Sequence, residues 1–279
     1  MAIFKDKHYL RVKLDKETDE SLWMQCKSCG ELVFKRRVRE NNNICPYCGE
    51  YFFLTARERI ESLIDEGSFT DISKPIMAAD PLLFQDTKPY PQRIEDAQEK
   101  TGLADAIIIG SVVISGIAVV VGVMDFRFIG GSMGSVMGEQ ICHGMEEAIR
   151  NQCPFILVSS SGGARIQEGI LSLMQMAKTS VVRARLAEQR LPFISVMTYP
   201  TTAGVQASIA SLGDVIIAEK GAMIGFAGRR VIKGTIAEEL PPNYQTDSFA
   251  LEHGSIDRVA NREHLREELS NVLRFFVRQ

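Results

Sequence analysis

The chain has 279 residues, of which 45% are hydrophobic and 24% charged, and its formal net charge is −3. These values predict an ordinary globular protein with a substantial buried core, and they argue against a protein coated in positive charge for binding nucleic acid. The N-terminus is charged and lacks the apolar core of a secretory signal, so we expect a cytoplasmic protein.

The first 54 residues predict an N-terminal segment with a zinc ribbon. After a charged stretch with at most a short strand at 8–13, two C-x-x-C pairs follow, separated by 15 residues. Gly30 and Gly49 come directly after them and suit tight turns beneath a metal. This spacing predicts one structural Zn²⁺ held by four thiolates, with a disulfide pair or a redox C-x-x-C as the alternatives. We expect Cys142 and Cys153 to be core residues. The predicted ligands are Cys26, Cys29, Cys45 and Cys48.

Residues 33–39, VFKRRVR, mix cationic and apolar side chains between the two cysteine pairs, and we expect a strand there. A basic strand on a zinc ribbon could contact phosphate, which gives a second hypothesis, a zinc-ribbon nucleic-acid-binding protein. The pattern favours a solvated strand face, because Lys and Arg outnumber Asp and Glu over residues 1–50 only by ten to eight.

Residues 55–279 predict the main domain. Thr55 and Glu58 have the spacing of a capping box, so a helix is expected over 55–66. Residues 68–100 hold four of the ten prolines and little periodicity, which predicts a surface linker. Residues 106–124 are uncharged and long enough for a membrane span, but β-branched residues and Ser115–Gly116 in their middle favour a buried β-hairpin.

Beyond the hairpin, an apolar run, a glycine-containing turn and a helical pattern recur three times. We name the turns the first (residues 125–134), second (159–169) and third (200–205) glycine turn. The helices are expected over 135–151 and 166–190, with Met174 and Met176 as core residues, and a last helix from Arg262. Strands that alternate with helices predict an α/β fold.

Glycines in such turns let a ligand approach the main chain closely, and Gly130 and Gly131 are therefore candidate substrate contacts, with simple turn chemistry as the alternative. The chain has no G-x-S-x-G, no P-loop and no paired carboxylates, so main-chain amides are the candidate catalytic groups. Amides at two strand ends suit an oxyanion that develops on a thioester carbonyl. The candidate donors are Gly162, Gly163, Ala164, Ala203 and Gly204.

Several ordered motifs, spread over nearly the whole chain, carry a resemblance to a known family. They are the four cysteines, EKTGL at 99–103, MDFRF and GGSMGSVMGE at 124–139, SSSGGARIQEGILSLMQMAKTS at 159–180 and GFAGRRVI at 225–232. With them the chain resembles the β subunit of the carboxyltransferase component of bacterial and plastid acetyl-CoA carboxylase. The resemblance implies a crotonase-like fold, a spiral of ββα units.

It also implies a partner α subunit of the same fold in an α2β2 heterotetramer. The reaction implied moves a carboxyl group from carboxybiotin, on a biotin carboxyl carrier protein, to acetyl-CoA, giving malonyl-CoA for fatty acid synthesis. In the implied mechanism the thioester forms an enolate and no side-chain base is needed. The biotin oxygen would be held largely by the α subunit. Candidates for contacts with CoA phosphate, or for bracing the glycine turns, are Arg165, Arg229 and Arg230.

One position departs from the family, which usually has two glycines in the third turn where this chain has Ala203–Gly204. Either residue 203 lies in an ordinary backbone region or the site is altered, which leaves a carboxyltransferase for another acyl-CoA as an alternative. A free-standing crotonase-type hydratase is a further alternative. It needs a carboxylate near the oxyanion hole, which is the site formed by the candidate amides, and Glu168 is the nearest carboxylate in sequence.

Overall fold

The structure is a computed structural model that describes residues 22–227, 232, 234 and 240–277. The strand expected at 8–13 lies outside the described residues, as do Arg229 and Arg230. The chain forms two compact units, which divide between Phe52 and Phe53.

The small unit is built on a two-stranded antiparallel sheet. Strand β1 (Trp23–Gln25) pairs with β2 (Leu32–Phe34), and helix α1 (Lys35–Glu40) follows. The strand expected over 33–39 is therefore wrong beyond Phe34. The helix turns Val38 into the unit's small core and leaves Arg36 free to pair with Glu40 one turn on, at 2.8 Å.

Among the described residues, the large unit contains one sheet of eight strands and the helices packed on it. The strands are β3 (Thr70–Asp71), β4 (Ile107–Ile114), β5 (Ile117–Met124), β6 (Phe155–Ser161), β7 (Phe193–Thr202), β8 (Val215–Glu219), β9 (Ile224–Gly225) and β10 (Arg258–Ala260). Strand order is β10-β8-β7-β6-β5-β4-β3, and β9 pairs with the end of β7. Strands β3, β4 and β5 are antiparallel neighbours, whereas β5, β6, β7, β8 and β10 are parallel. The helices are α2 (Ala56–Leu63), α3 (Tyr90–Thr101), α4 (Ser135–Arg150), α5 (Ile170–Glu188), α6 (Ala203–Gln206), α7 (Asp247–Glu252) and α8 (Leu265–Val277).

The helices predicted at the two ends of this unit are confirmed. Helix α2 begins with the capping box, in which the Thr55 hydroxyl accepts from the Glu58 amide and the Glu58 carboxylate from the Thr55 amide. Helix α8 turns Leu265, Leu269 and Leu273 fully into the core, as their spacing requires.

The hairpin predicted over 106–124 is also confirmed. Strands β4 and β5 pair along their whole length, from Ile107 opposite Met124 to Ile114 opposite Ile117. Ser115 and Gly116 form the two-residue turn, with φ values of 50° and 81°, and both donate amides to Asp65. No helix within the described residues is long and apolar enough to cross a membrane.

The linker predicted over 68–100 is wrong for its second half, which contains helix α3. Tyr90 at its first position is buried, and Ile94 and Ala97 continue the same face into the core. Sequence signals were present, because Pro91 suits the first turn of a helix and Gly102 ends it with a φ of 71°.

Helix α5 is confirmed within the 166–190 region, but its buried face is apolar only near its C-terminal end, at Val182 and Leu186. Ser172, Gln175 and Thr179 are the other buried residues of the helix, whereas several large apolar side chains face outward. Met174 is 59% exposed, so its assignment to the core is wrong, while Met176 packs partly against the core. The exposed apolar residues, named here the α5 stripe, are Ile166, Ile170, Leu173, Met174 and Val181.

The parallel strands bring the three glycine turns to one edge of the sheet. Val123 of β5 lies opposite Val158 of β6, and Val158 lies opposite Val196 of β7. Because neighbouring parallel strands end at the same edge, the turns that follow β5, β6 and β7 lie side by side.

Candidate active site

The first and second glycine turns are joined through their main chains. The Gly162 amide donates to the Gly130 carbonyl at 2.8 Å, and Met133 forms a short parallel bridge with Ala164. Gly131 has a φ of 62°, and a Cβ there would lie 2.0 Å from the Ser160 carbonyl oxygen. Gly131 therefore allows the first turn to lie close to the second turn, which favours simple turn chemistry over a substrate contact at this residue.

The second and third turns face each other across a van der Waals contact. A Cβ added to Gly163 would lie 2.5 Å from the Ala203 Cβ, and one added to Gly204 would lie 3.3 Å from the Ala164 nitrogen. The Thr202 hydroxyl also donates to the Ser161 carbonyl at 3.1 Å. The two turns expected to supply amides thus lie against one another.

The hydrogen bonds of the fold reduce the set of candidate donors. Gly162 already donates to Gly130, and Gly163 donates to the Ser161 hydroxyl at 3.0 Å, so their amides are not available to a substrate. The bridge to Met133 uses the Gly163 carbonyl and the Arg165 amide, which leaves the Ala164 amide on the opposite side. The Gly204 amide lies in the first turn of α6, where no intrahelical acceptor exists. Among the described residues neither amide has an acceptor, and the two lie beside each other.

Ala203 does not lie in an ordinary backbone region. Its φ is 51°, in the left-handed region that favours glycine, and its methyl group packs over Gly163. An L-residue in this region carries a strain of about 1 kcal/mol. The family's usual glycine is thus the less strained residue for this position, and the chain keeps the same turn with alanine.

Arg165 is fully buried and braces the turns. Its guanidinium forms two parallel hydrogen bonds with Asp105, at 2.7 and 2.8 Å, and donates to the Ser132 carbonyl at 2.8 Å. Burial lowers the pKa of Arg165, but the Asp105 charge raises it more, so the side chain remains a cation. Because the guanidinium has no exposed surface, its interpretation as a CoA phosphate contact is wrong, and the bracing alternative describes it.

Glu168 belongs to the same buried network and cannot serve as a base. One carboxylate oxygen accepts from the Tyr90 hydroxyl at 2.6 Å, and the other accepts from the Ser135 amide at 2.6 Å. Burial is the main cause that raises the pKa of Tyr90, so this hydroxyl stays protonated and donates. A hydratase that uses Glu168 near the oxyanion is therefore not favoured, since both carboxylate oxygens accept hydrogen bonds within the fold and the side chain is buried.

The sequence did not identify Tyr90, Asp105 and Ser132 as partners of Arg165. They lie 75, 60 and 33 positions away along the chain. One weak sequence signal was present for Asp105, because a carboxylate two residues before a strand of buried aliphatic residues needs a partner. Gly130 keeps open space on its outer side, with only the Phe126 ring at 4.0 Å, so a substrate contact there remains a prediction.

The four N-terminal cysteines form a metal centre. Their sulfur atoms lie within 4.8 Å of one another, and the distances Cys26–Cys48 and Cys29–Cys45 are 3.7 and 3.9 Å. A tetrahedron with Zn–S bonds of about 2.3 Å has sulfur atoms about 3.8 Å apart, so the arrangement fits Zn²⁺. All four positions are protein thiolates, which leaves no place for water and makes the ion structural.

The two cysteine pairs have the same local geometry. Gly30 and Gly49 have φ values of 76° and 77°, and their amides donate to the carbonyls of Cys26 and Cys45. The Cys29 amide is the main cause that lowers the pKa of the Cys26 thiol to about 7. The Glu31 amide lowers the pKa of the Cys29 thiol, but burial and the neighbouring thiols raise it more, so the first thiolate of the cluster is favoured at Cys26.

The two remaining cysteines are buried in the core of the large unit, as expected. Cys142 is 3% exposed and Cys153 is 7% exposed. Burial raises the pKa of the Cys142 thiol to about 11. Both thiols therefore stay protonated and behave as small apolar side chains.

Comparison with known proteins identifies both units. Residues 53–271 match the carboxyl transferase domain, and residues 23–48 match the acetyl-CoA carboxylase zinc finger domain. The second match does not favour the nucleic-acid-binding hypothesis. The acetyl-coenzyme A carboxylase carboxyl transferase subunit beta of Thermus thermophilus is 51% identical over 91% of this chain and 88% of its own length.

Two solved structures share the fold. Transcarboxylase 12S, with methylmalonyl-coenzyme A and methylmalonic acid bound, has a TM-score of 0.66 and 28% identity. The match covers 85% of this chain and 43% of that one, so the 12S chain is about twice as long. A Pseudomonas malonate decarboxylase hetero-tetramer in complex with malonate has a TM-score of 0.61 and 25% identity, with 81% and 82% covered.

These neighbours confirm the crotonase-like α/β fold, and the cysteine cluster confirms the zinc ribbon. The motifs, the geometry of the turns and the identity to curated relatives agree with one another. The chain belongs to the family of carboxyltransferase β subunits of acetyl-CoA carboxylase.

Proposed function

We propose that the amides of Ala164 and Gly204 together hold the thioester oxygen of the substrate while negative charge develops on it. The observation that carries this proposal is the contact between the second and third turns, which sets two unengaged amides beside each other. Amides that the fold holds in place stabilise an oxyanion without reorganising, and this electrostatic stabilisation is often the largest single contribution to the rate enhancement.

As a member of its family, the chain is a carboxyltransferase subunit that forms malonyl-CoA from acetyl-CoA. Carboxybiotin, carried on a partner protein, supplies the carboxyl group. This chain's residues bind and orient the thioester and stabilise its enolate, and Arg165 with Asp105 keeps the turns in place.

The partner that completes the enzyme is proposed to be an α subunit of the same fold, in an α2β2 heterotetramer. The α5 stripe supports this, because large apolar side chains exposed along one helix mark a contact surface. Leu173 and Met174, for instance, are 49% and 59% exposed. The stripe begins at Ile166, within the second glycine turn, so a partner that covers it would border the oxyanion hole. The transcarboxylase 12S chain is about twice as long as this chain, and the part of it that this chain does not match is similar in size to the α subunit proposed here.

Other substrate contacts are proposed on weaker grounds. Gly130 borders the joined turns and has open space beside it, which leaves room for the extended part of the thioester substrate to lie against it. Arg229 and Arg230 follow the third turn in sequence and carry the planar donor fork that binds phosphate, and we retain them as contacts for CoA.

The function is tested by purifying the chain with an α subunit and measuring malonyl-CoA formation from acetyl-CoA and carboxybiotin. Propionyl-CoA is assayed alongside. We expect activity only when both subunits are present, with acetyl-CoA preferred. Equal or greater activity with propionyl-CoA would assign another acyl-CoA to this chain.

The role of the two amides is tested by a pair of glycine variants. In Gly204→Ala the new methyl group would lie 3.3 Å from the Ala164 nitrogen and block the donor, so kcat should fall by about 10²- to 10³-fold. Gly162→Ala is the matched control, because its methyl group meets only the Gly130 carbonyl, at 3.4 Å, and its amide is already engaged. Similar losses in both variants, with both folded, would contradict the proposal.

A further inference from the structure

The third glycine turn follows a strand end that a second, shorter strand holds in place. Strand β9 pairs in parallel with the last two residues of β7, so that Thr202 lies opposite Gly225. The Thr201 amide also donates to the Met223 carbonyl at 2.8 Å. Because Thr202 directly precedes Ala203, the position of β9 affects where the amides of the third turn point.

Gln245 holds β9 from the edge opposite β7. Its carbonyl accepts the Ile224 amide at 3.0 Å, and its side-chain Nε2 donates to the Ala227 carbonyl. The side chain is 4% exposed and packs directly against Gly225, where an added Cβ would lie 2.4 Å from Nε2. Among the described residues, the other polar atom of this side chain, Oε1, has no hydrogen-bond partner. The main chain and the side chain of Gln245 therefore both hold β9 and the residues directly after it.

Gln245 is itself fixed by the start of helix α7. The next residue, Thr246, caps this helix with its hydroxyl, which accepts from the Phe249 amide at 3.1 Å. Thr246 also forms an antiparallel bridge with Met223, the residue before β9. Gln245 is thus anchored by a neighbour that contacts both α7 and the start of β9.

The backbone of Gln245 is strained, and the strain accompanies these contacts. Its φ is 64°, in the left-handed region that residues with a Cβ rarely adopt. This backbone places the side chain against Gly225 while the carbonyl faces Ile224. Residues held in such a conformation persist only where the surrounding structure requires it, and they cluster at functional sites. Ala203, in the turn that β9 supports, is held in the same region.

We propose that Gln245 is a positioning residue for carboxyl transfer, which holds β9 against Thr202 and thereby sets the direction of the Gly204 amide. The inference rests on the proposed function, because it takes Gly204 as a donor to the thioester oxygen. An oxyanion donor stabilises the developing charge only at hydrogen-bond distance from it, and a displacement of about 1 Å can lower a rate about 10²-fold. The role assigned to Gln245 acts through β9 and requires no contact with the substrate.

The test separates the hydrogen bond from Nε2 from the packing of the side chain. Gln245→Met keeps the length of the side chain and removes the donor. In the complex with the α subunit it should lower kcat at least about tenfold, with KM for acetyl-CoA within about threefold of the wild type. Gln245→Glu places a carboxylate against the Ala227 carbonyl, but a protonated carboxyl group can donate there. Since burial raises the pKa of a carboxyl group, kcat of Gln245→Glu relative to the wild type should rise as the pH falls from about 8 to about 6.

Gln152 supplies the matched controls. It has the same left-handed backbone, with a φ of 50°, and its Nε2 donates to the Ile149 carbonyl at 2.8 Å. Its side chain is exposed, and it precedes β6, whereas the glycine turns follow their strands. Gln152→Met and Gln152→Glu should therefore keep kcat within about twofold of the wild type at each pH.

A kcat of Gln245→Met no lower than that of Gln152→Met would overturn the proposal, and so would a loss in Gln245→Glu that does not change with pH. If the wild-type complex forms no malonyl-CoA, the proposed function fails, and the role of Gln245 is decided by hydrogen exchange. Exchange within residues 198–206 should then be at least about tenfold faster in Gln245→Met than in Gln152→Met, because the Thr201 amide loses protection as β9 loosens. Equal exchange in the two variants would overturn the role.

Discussion

At the scale of single residues, the site depends on where small side chains and buried charges lie. Gly163 has no room for a Cβ, because the Ala203 methyl group occupies that space. Arg165 of the second glycine turn forms a buried ion pair with Asp105 and donates to the Ser132 carbonyl, which joins the second turn to the first. Removing one member of such a pair strands the other charge, so the pair fixes the geometry of the hole even though its net stabilising effect is small.

The strained alanine gives the prediction at this scale. Ala203→Gly should leave kcat/KM for acetyl-CoA within about tenfold of the wild type, because the Gly204 amide stays in place and the left-handed backbone suits glycine. Thermal unfolding should show no loss of stability, since relief of strain offsets the added freedom of the unfolded chain. A larger loss of activity in a folded variant would mean that the methyl group shapes the acyl pocket.

At the scale of elements, the positions of helices are set by contacts distant in sequence. The first amide of α2, that of Ala56, donates to Asp125 at 2.9 Å, and Asp125 also pairs with Arg127. Burial raises the pKa of Asp125, but the hydrogen bonds from Arg127 and Ala56 lower it more, so the net shift is downward. One carboxylate therefore ties the start of α2 to the first glycine turn.

This carboxylate predicts a pH dependence. A carboxyl group whose pKa is lowered by folding stabilises the protein fully above its unfolded pKa of about 4, and this stabilisation is lost as the pH falls through the folded pKa. At pH 7, Asp125→Asn should lower the free energy of unfolding by about 1–3 kcal/mol. In urea unfolding, the difference from the wild type should shrink at pH 3. Glu61→Gln, an exposed change on the same helix, should have little effect at either pH.

The exposed apolar side chains of α5 give a second prediction for an element. Leu173→Asp places a charge on the α5 stripe, and it should weaken binding to the α subunit at least about tenfold while the free energy of unfolding stays within about 0.5 kcal/mol. Leu251→Asp is the matched control, since Leu251 on α7 is 43% exposed, close to the 49% of Leu173. Both effects are measured by titration calorimetry and urea unfolding. Equal binding by the two variants would remove the stripe from the interface.

At the scale of the whole molecule, the two units are stabilised by different means. The small unit has a core of four buried residues among those described, and two of them are the ligands Cys26 and Cys45. The large unit has an extensive aliphatic core over one sheet. A unit with so little apolar burial needs its metal to fold, whereas the large unit does not.

This difference can be measured through the chain's single tryptophan. Trp23 lies in the small unit, with its ring 5.4 Å from that of Phe34. A zinc chelator should change Trp23 fluorescence and leave the far-ultraviolet circular dichroism of the large unit nearly intact, and added Zn²⁺ should reverse the change. Cys45→Ser should reproduce the chelated state. An unchanged Trp23 spectrum after complete removal of zinc would contradict the assignment of the ion as structural.

The sequence by itself determined what depends on short-range pattern. The spacing of the cysteines, the Ser115–Gly116 turn, the capping box at Thr55 and the leucines of α8 each act within a few residues, and all are confirmed. Only the tertiary structure decided that the Gly162 amide is engaged, because its acceptor is the Gly130 carbonyl of the first glycine turn. It also decided that Arg165 faces Asp105 and that the residues of the α5 stripe are exposed. Such pairings join positions tens of residues apart, and periodicity carries no information about them.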